Sequence, residues 1–298
     1  MTVEKHTPTM KDVGGIPVAR LLPKGARRTI GAWCFLDHIG PVRFADDSKG
    51  LQVGSHPHTN LSTFTWMLEG EQLHGDSLGN RFTIGPKQVG LMTAGGGNGH
   101  GICHTEQTPE YEKNAHAVQL WIALPPNRDD IKPAFEYHSN LPEWQEQGAS
   151  FILTTGTFQG RTAPTTQHSP IIGVDIRFNE DGELDFPAEA GWEYGALVIA
   201  GQIETGGETF EKEELVVITG EGRLKIRGKA GTHIMLLGGE PLAEPVLMWW
   251  NFVAYKAEDL QQAVDDWNNH HPRFGEIDLT GTGLKRLVAP DVPEAKMR

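Results

Sequence analysis

The feature that most constrains this chain is a run of short alternating segments closed by glycine-containing turns, which occurs twice. In the first run, residues 61–124, the stretch LSTFTWML sets Phe64, Trp66 and Leu68 against Thr63, Thr65 and Met67, the alternation of a half-buried strand. Turn chemistry follows at 69–71, 78–80 and 85–86, and VQLWIAL at 118–124 closes the run. The second run, residues 194–253, reads YGALVIAG, IETGG, ELVVITG, RLKIRG, THIMLLGG and VLMWWNFV, each bounded by glycine or charge. Strands this short bury their apolar faces only by stacking, so the expected class is all-β, as a sandwich or barrel.

The two runs resemble one another. WMLEGEQLHG at 66–75 matches LVIAGQIETG at 197–206 in turn placement, and PKQVGLMTAG at 86–95 matches KEELVVITGE at 212–221. Two copies of one β-unit are therefore expected. Residues 125–193, rich in Pro, Asn, Asp and Gly with a short helix expected near 141–146, hold the boundary, which places the domains at 1–130 and 131–298. One clear helix is expected, KAEDLQQAVDDWNN at 256–269, whose Leu260, Ala263, Val264 and Trp267 form a single stripe for packing on a barrel.

Charge and cysteine content narrow the function. A formal net charge of -13 without a long basic run argues against direct nucleic-acid binding. The apolar stretch after Arg27 and Arg28 is short and broken by Asp37, His38 and Gly40, so neither a signal peptide nor a membrane span is expected, and a cytoplasmic location follows. Cys34 and Cys103 make no disulfide framework and read as small apolar fillers.

Two motifs carry chemistry. In HPH at 56–58 the imidazoles of His56 and His58 leave one face of an extended strand, and HTE at 104–106 repeats the geometry with His104 and Glu106. Folded against each other, the pairs would offer four ligands to a single divalent transition metal ion. Three imidazoles and a carboxylate suit Fe(II), Mn(II), Ni(II) or Zn(II), with Cu within range of the imidazoles, and six-coordination leaves two positions open. The flexible run GGGNGHGICHTE can present His100 in place of His104, although strand spacing to Glu106 favours His104. His74 and His116 read as hydrogen-bonding partners or ordinary strand residues. The second run has no equivalent ligand set, since His233 stands alone, and is expected to be metal-free.

HPHTNLSTFTWMLEGEQLHGDSLGN followed by IGPKQVGLMTAGGG and HTE resembles the signature of the pirin family, within the cupin superfamily. WCFLDHIGPV at 33–42 and LLGGEPLAEPVLMWWNFV at 236–253 resemble its two ends, so the likeness spans most of the chain. It implies two tandem cupin (jelly-roll) barrels, the N-terminal one holding iron, as Fe(II), through His56, His58, His104 and Glu106, and the C-terminal one metal-free with a C-terminal helix. Some pirins open flavonols such as quercetin with dioxygen and release carbon monoxide. Others are metal-dependent partners of transcription factors. The resemblance thus implies either a quercetin 2,3-dioxygenase-like oxidoreductase acting on a small aromatic substrate, with Glu106 as general base, or a metal- or redox-dependent regulator with a protein partner. Ser62 stands where many pirins carry an acidic residue, an exchange expected to tune substrate access, as is the long glycine-rich segment before His104. His74 and Trp66 are weighed as pocket lining, with packing the favoured role for both.

Overall fold

In a computed structural model of the protein, which describes residues 1–25 and 27–296, nearly every regular element is a strand and one α-helix, Ala257–Asn268, lies near the C-terminus. No helix among the described residues is long and apolar enough to cross a membrane. The chain forms two compact units, each discontinuous in sequence.

One unit gathers residues 1–11, 19–38 and 138–242. Its larger sheet runs in the order Thr2–His6, Leu215–Thr219, Glu193–Ala200, His233–Gly239, Ile171–Phe178, Ala149–Phe158, Glu143–Glu146. A smaller sheet orders Gly182–Pro187, Arg223–Gly228, Gln202–Thr205 and Glu208–Glu211. The core between them is aromatic and branched aliphatic, with Phe151, Val174, Phe186, Ile203, Phe210 and Leu236 all buried. The helix expected near 141–146 is instead the strand Glu143–Glu146, paired with Ala149–Phe158. Gln147 and Gly148, both at positive φ (50° and 74°), close a two-residue hairpin, and Trp144 stacks on Phe151 at 4.9 Å.

The other unit gathers residues 12–18, 39–137 and 243–298. A four-stranded sheet, Gln52–His58, Ile102–Gln107, Gln72–Asp76, Arg81–Ile84, forms one wall. The facing wall orders Ala134–His138, Val89–Thr93, Leu61–Gly70 and Asn114–Ala123, followed by Trp33–Arg43, whose residues from Ile39 onward belong to this unit. VLMWWNFV, read from sequence as one strand, is a hairpin of Leu247–Trp249 and Phe252–Ala254 turning at Trp250 (φ 51°) and Asn251. The helix packs on this hairpin through the expected stripe of Leu260, Ala263, Val264 and Trp267, joined by Phe252, Phe274 and Cys103. A contiguous division at 130/131 therefore differs from these compact units. Thr2–His6 is hydrogen-bonded along Leu215–Thr219, while the C-terminal hairpin and helix share a core with Cys103.

The internal repeat is visible in the backbone. Gly70 and Gly201, aligned by the sequence match, have φ of 78° and 74° and turn the chain from the larger sheet into the smaller one. Lys87 and Glu213, also aligned, are non-glycine residues at φ 62° and 66°. A shared strained turn of this kind is hard to reach by chance, because side chains rarely enter that region.

Candidate metal centre

The wall strands bring the two motifs together by direct pairing. Gln52–His58 and Ile102–Gln107 run antiparallel with His104 opposite His56 and Ile102 opposite His58. Residues directly opposite share a face, and His56, His58 and His104 offer ligand nitrogens that all lie within 4.8 Å of one another. All three side chains are buried. Among the described residues they form the only such group of His, Cys, Asp or Glu.

Glu106 does not join that group. Between His104 and Glu106 the pairing shifts, so that Glu106 faces Val53 and the first strand carries an extra residue. This bulge turns the wall next to the site. Glu106 is half-buried, and its charge acts on His56 from nearby. Gly54 lies in the bulge, where a Cβ would stand 1.9 Å from the carbonyl oxygen of Lys285, so only glycine fits.

Ring orientation is set by hydrogen bonds on the far nitrogens. His56 Nδ1 donates to the Gly54 carbonyl (2.8 Å) and His58 Nδ1 to the Asn251 carbonyl (3.0 Å), since a carbonyl can only accept. In a neutral ring that leaves Nε2 with its lone pair, pointed inward. His58 Nε2 and His104 Nε2 are 3.0 Å apart, the separation of two nitrogens each about 2.1 Å from one ion at roughly right angles. Burial lowers the pKa of His56, and lowers those of His58 and His104 well below the ordinary value, the last two further depressed by neighbouring imidazoles. Glu106 partly opposes this at His56. The donor set is thus neutral, convergent and shielded from water, and it fits a transition metal ion.

His104 Nδ1 contacts His74 Nδ1 at 3.4 Å, and His74 Nε2 contacts Asp76 Oδ2 at 3.0 Å. His74 also stacks on Phe135, with ring centroids 4.2 Å apart and planes 10° from parallel. Burial acts to raise the Asp76 carboxyl, but hydrogen bonds with His74 and Asn80 outweigh it and hold the group below its usual value.

The facing wall presents Thr63, Thr65, Gln119 and Trp121, since Thr63 pairs with Trp121 and Thr65 with Gln119. This face looks at the histidines: Trp121 meets His58 edge-on at 5.1 Å. Thr65 donates to Gln119 Oε1 at 2.9 Å. Trp66 and Ser62 fall on the other face of their strand, Ser62 bonded to Thr93 at 2.9 Å, so neither lines the site. Trp121, two residues from Gln119 in VQLWIAL, is the aromatic that the sequence reading passed over.

His100 turns away from the histidines, its Nε2 within hydrogen-bonding distance of the Asp129 carbonyl (3.1 Å) and of Lys132 Nζ (3.0 Å). The glycine-rich segment is tied down rather than loose: Asn98 Nδ2 donates to Asp259 of the helix at 2.7 Å, and Arg273 donates to the Asn98 carbonyl at 2.5 Å. His116 sits opposite Glu69, outside the group, and His233 pairs with Asp175 at 2.7 Å.

The family model described as Pirin matches residues 15–122, and the one described as Pirin C-terminal cupin domain matches residues 173–275. A candidate quercetin 2,3-dioxygenase of Pseudomonas aeruginosa is 48% identical over 283 residues, covering 94% of this chain and 87% of the relative. Human Pirin is 27% identical over 255 residues, covering 82% and 86%. A crystal structure of quercetin 2,3-dioxygenase from Acinetobacter baumannii superposes with a TM-score of 0.91 at 42% identity, covering 98% of this chain and 96% of that one. The nickel(II) complex of the bacterial pirin YhhW of Escherichia coli shares the fold at a TM-score of 0.63 and 19% identity, covering 81% of this chain and 100% of that one.

Proposed function

The chain belongs to the pirin family, with both of its cupin domains, and from that premise we propose a metal-dependent dioxygenase of the quercetin 2,3-dioxygenase type, acting on flavonols or related phenols. The observation that carries this reading is the buried group of His56, His58 and His104 set against an aromatic and amide-bearing wall. His56, His58 and His104 would hold one divalent transition metal ion, with Glu106, which stands outside that group beside the bulge, as the fourth ligand that the family pattern implies. The family points to Fe(II), and the nickel complex of a relative supports Ni(II) as an occupant. When bound, the ion supplies Lewis acidity at a substrate hydroxyl and open positions for substrate and dioxygen.

The protein's own residues do the rest. Glu106, half-buried at the bulge, takes the proton leaving the flavonol hydroxyl. Trp121 offers its ring as a wall for a planar substrate. Gln119, with its Oε1 engaged by Thr65, directs its amide donors to a substrate oxygen. The N-terminal cupin is the metal-binding domain and the C-terminal one is a metal-free scaffold.

The test is anaerobic loading of purified protein with iron, nickel, manganese, cobalt or zinc, followed by quercetin and oxygen. Oxygen uptake with carbon monoxide release is expected for at least one metal. Neither product nor uptake across all metals and several flavonols would remove the proposal.

A further inference from the structure

His104 is the one member of the group whose Nδ1 has no backbone carbonyl to hold it. Where His56 leans on Gly54 and His58 on Asn251, His104 meets only the Nδ1 of His74, at 3.4 Å. We propose that His74 and Asp76 form a positioning dyad, which fixes the tautomer of His104 so that its Nε2 lone pair faces the metal; the inference rests on the metal-site reading above.

A carboxylate only accepts, so the 3.0 Å contact with Asp76 Oδ2 places a proton on His74 Nε2. In neutral His74 that leaves Nδ1 bare, an acceptor aimed at His104. His104 then carries its own proton on Nδ1 and presents Nε2 as a free lone pair, 3.0 Å from the Nε2 of His58. Carboxylate, imidazole and ligand imidazole thus form a directed chain, and the ligand at its end becomes the more electron-rich.

Each part of the dyad is held in turn. Asp76 Oδ1 accepts from the backbone N–H of Leu78 (2.9 Å) and Asn80 (3.1 Å), and the Asn80 amide reaches both carboxylate oxygens, at 3.1 and 3.0 Å. The near-parallel stack on Phe135 fixes the plane of His74. The pairing of Gln72–Asp76 with Ile102–Gln107 sets Asp76 opposite His104 and His74 opposite Glu106, so the dyad lies on the next strand of the same wall.

Two variants of the full-length protein test this, with cobalt(II) as probe. In Asp76→Asn the carbonyl, in place of Oδ1, can keep the contacts that Leu78 and Asn80 make there, while the amide, in place of Oδ2, gives up its Asn80 contact and donates to His74 Nε2. That moves the His74 proton to Nδ1 and forces His104 to carry its proton on Nε2, the wrong atom for a ligand. His74→Phe keeps the stack on Phe135 and removes the acceptor. Both are expected to weaken cobalt binding about 10–100-fold in chelator competition. The visible ligand-field bands should change, with the melting curve of the metal-free protein little altered. Wild-type affinity with wild-type bands in both variants would overturn the proposal, and so would a wild-type protein that takes up no cobalt. Asp76→Asn, nearly isosteric, carries the test should His74→Phe not fold. The dioxygenase reading fails on a separate readout, oxygen uptake, so the two failures are distinguishable.

Discussion

His58 shows how much of the centre is decided one side chain at a time. It is buried, its Nδ1 is spoken for by Asn251, and its Nε2 faces His104. Its motif was legible, because two positions on a strand put His56 and His58 on one side. Strand spacing alone favours His104 over His100, and it is His104 that stands with His56 and His58. Asp76 was missed although HGD at 74–76 has the same two-residue spacing, since a lone carboxylate carries no ligand signature. Glu106 was read by the same spacing rule as His104, and the bulge modifies that rule. The unfolded chain protonates its histidines near the ordinary value of about 6.5, whereas His56, His58 and His104 resist protonation in the fold. Their contribution to stability is therefore complete above that pH and is lost as pH falls from it toward the lower folded values. Denaturant titrations of metal-free protein from pH 8 to 5 should show the loss, and a flat profile would contradict it. Glu106→Gln should keep metal on the three imidazoles while the oxygen-uptake rate with flavonol drops about 10²–10⁴-fold, the range for losing a general base. An undiminished rate would exclude Glu106 from that role.

At the level of elements, alternation and turn residues located most strands. They failed where the pattern was ambiguous. VLMWWNFV is apolar throughout and gives no sign of its turn, which Trp250 makes at a φ more usual for glycine. Glu143–Glu146 lacks β-branched residues and becomes a strand because Gln147 and Gly148 fold it onto Ala149–Phe158. The need for glycine at position 54 was equally hidden, as it comes from the Lys285 carbonyl more than two hundred residues away. Gly54→Ala should force that carbonyl out and disturb the oxygen that holds His56. A stability loss of about 1–3 kcal/mol together with weaker metal binding is expected. Thermal melts and chelator competition would measure both, and a variant matching wild type in each would show the contact to be slack.

For the molecule as a whole, the two copies were legible in sequence, and Gly70 with Gly201, and Lys87 with Glu213, repeat one another in backbone conformation. The exchange of terminal segments was not. Local pattern says nothing about a strand at residues 2–6 pairing with one at 215–219, because chain separation leaves no periodic trace. Removing residues 1–11 would strip Leu215–Thr219 of that neighbour and bare a hydrogen-bonding edge. The truncated protein should aggregate more readily and melt lower, while its metal content per chain stays at the wild-type level. A fall in metal content would show that this strand matters to the centre as well.

The hydrogen bond from His58 to the Asn251 carbonyl has a consequence in time as well as in space. When a ribosome has emitted the first 130 residues, all the imidazoles of the centre already exist, yet the group that orients one of them is still more than a hundred codons away. Only when the hairpin Leu247–Trp249 and Phe252–Ala254 has folded back does His58 acquire its inward lone pair. The orientation of His58 toward the other imidazoles is thereby deferred until synthesis has passed residue 251.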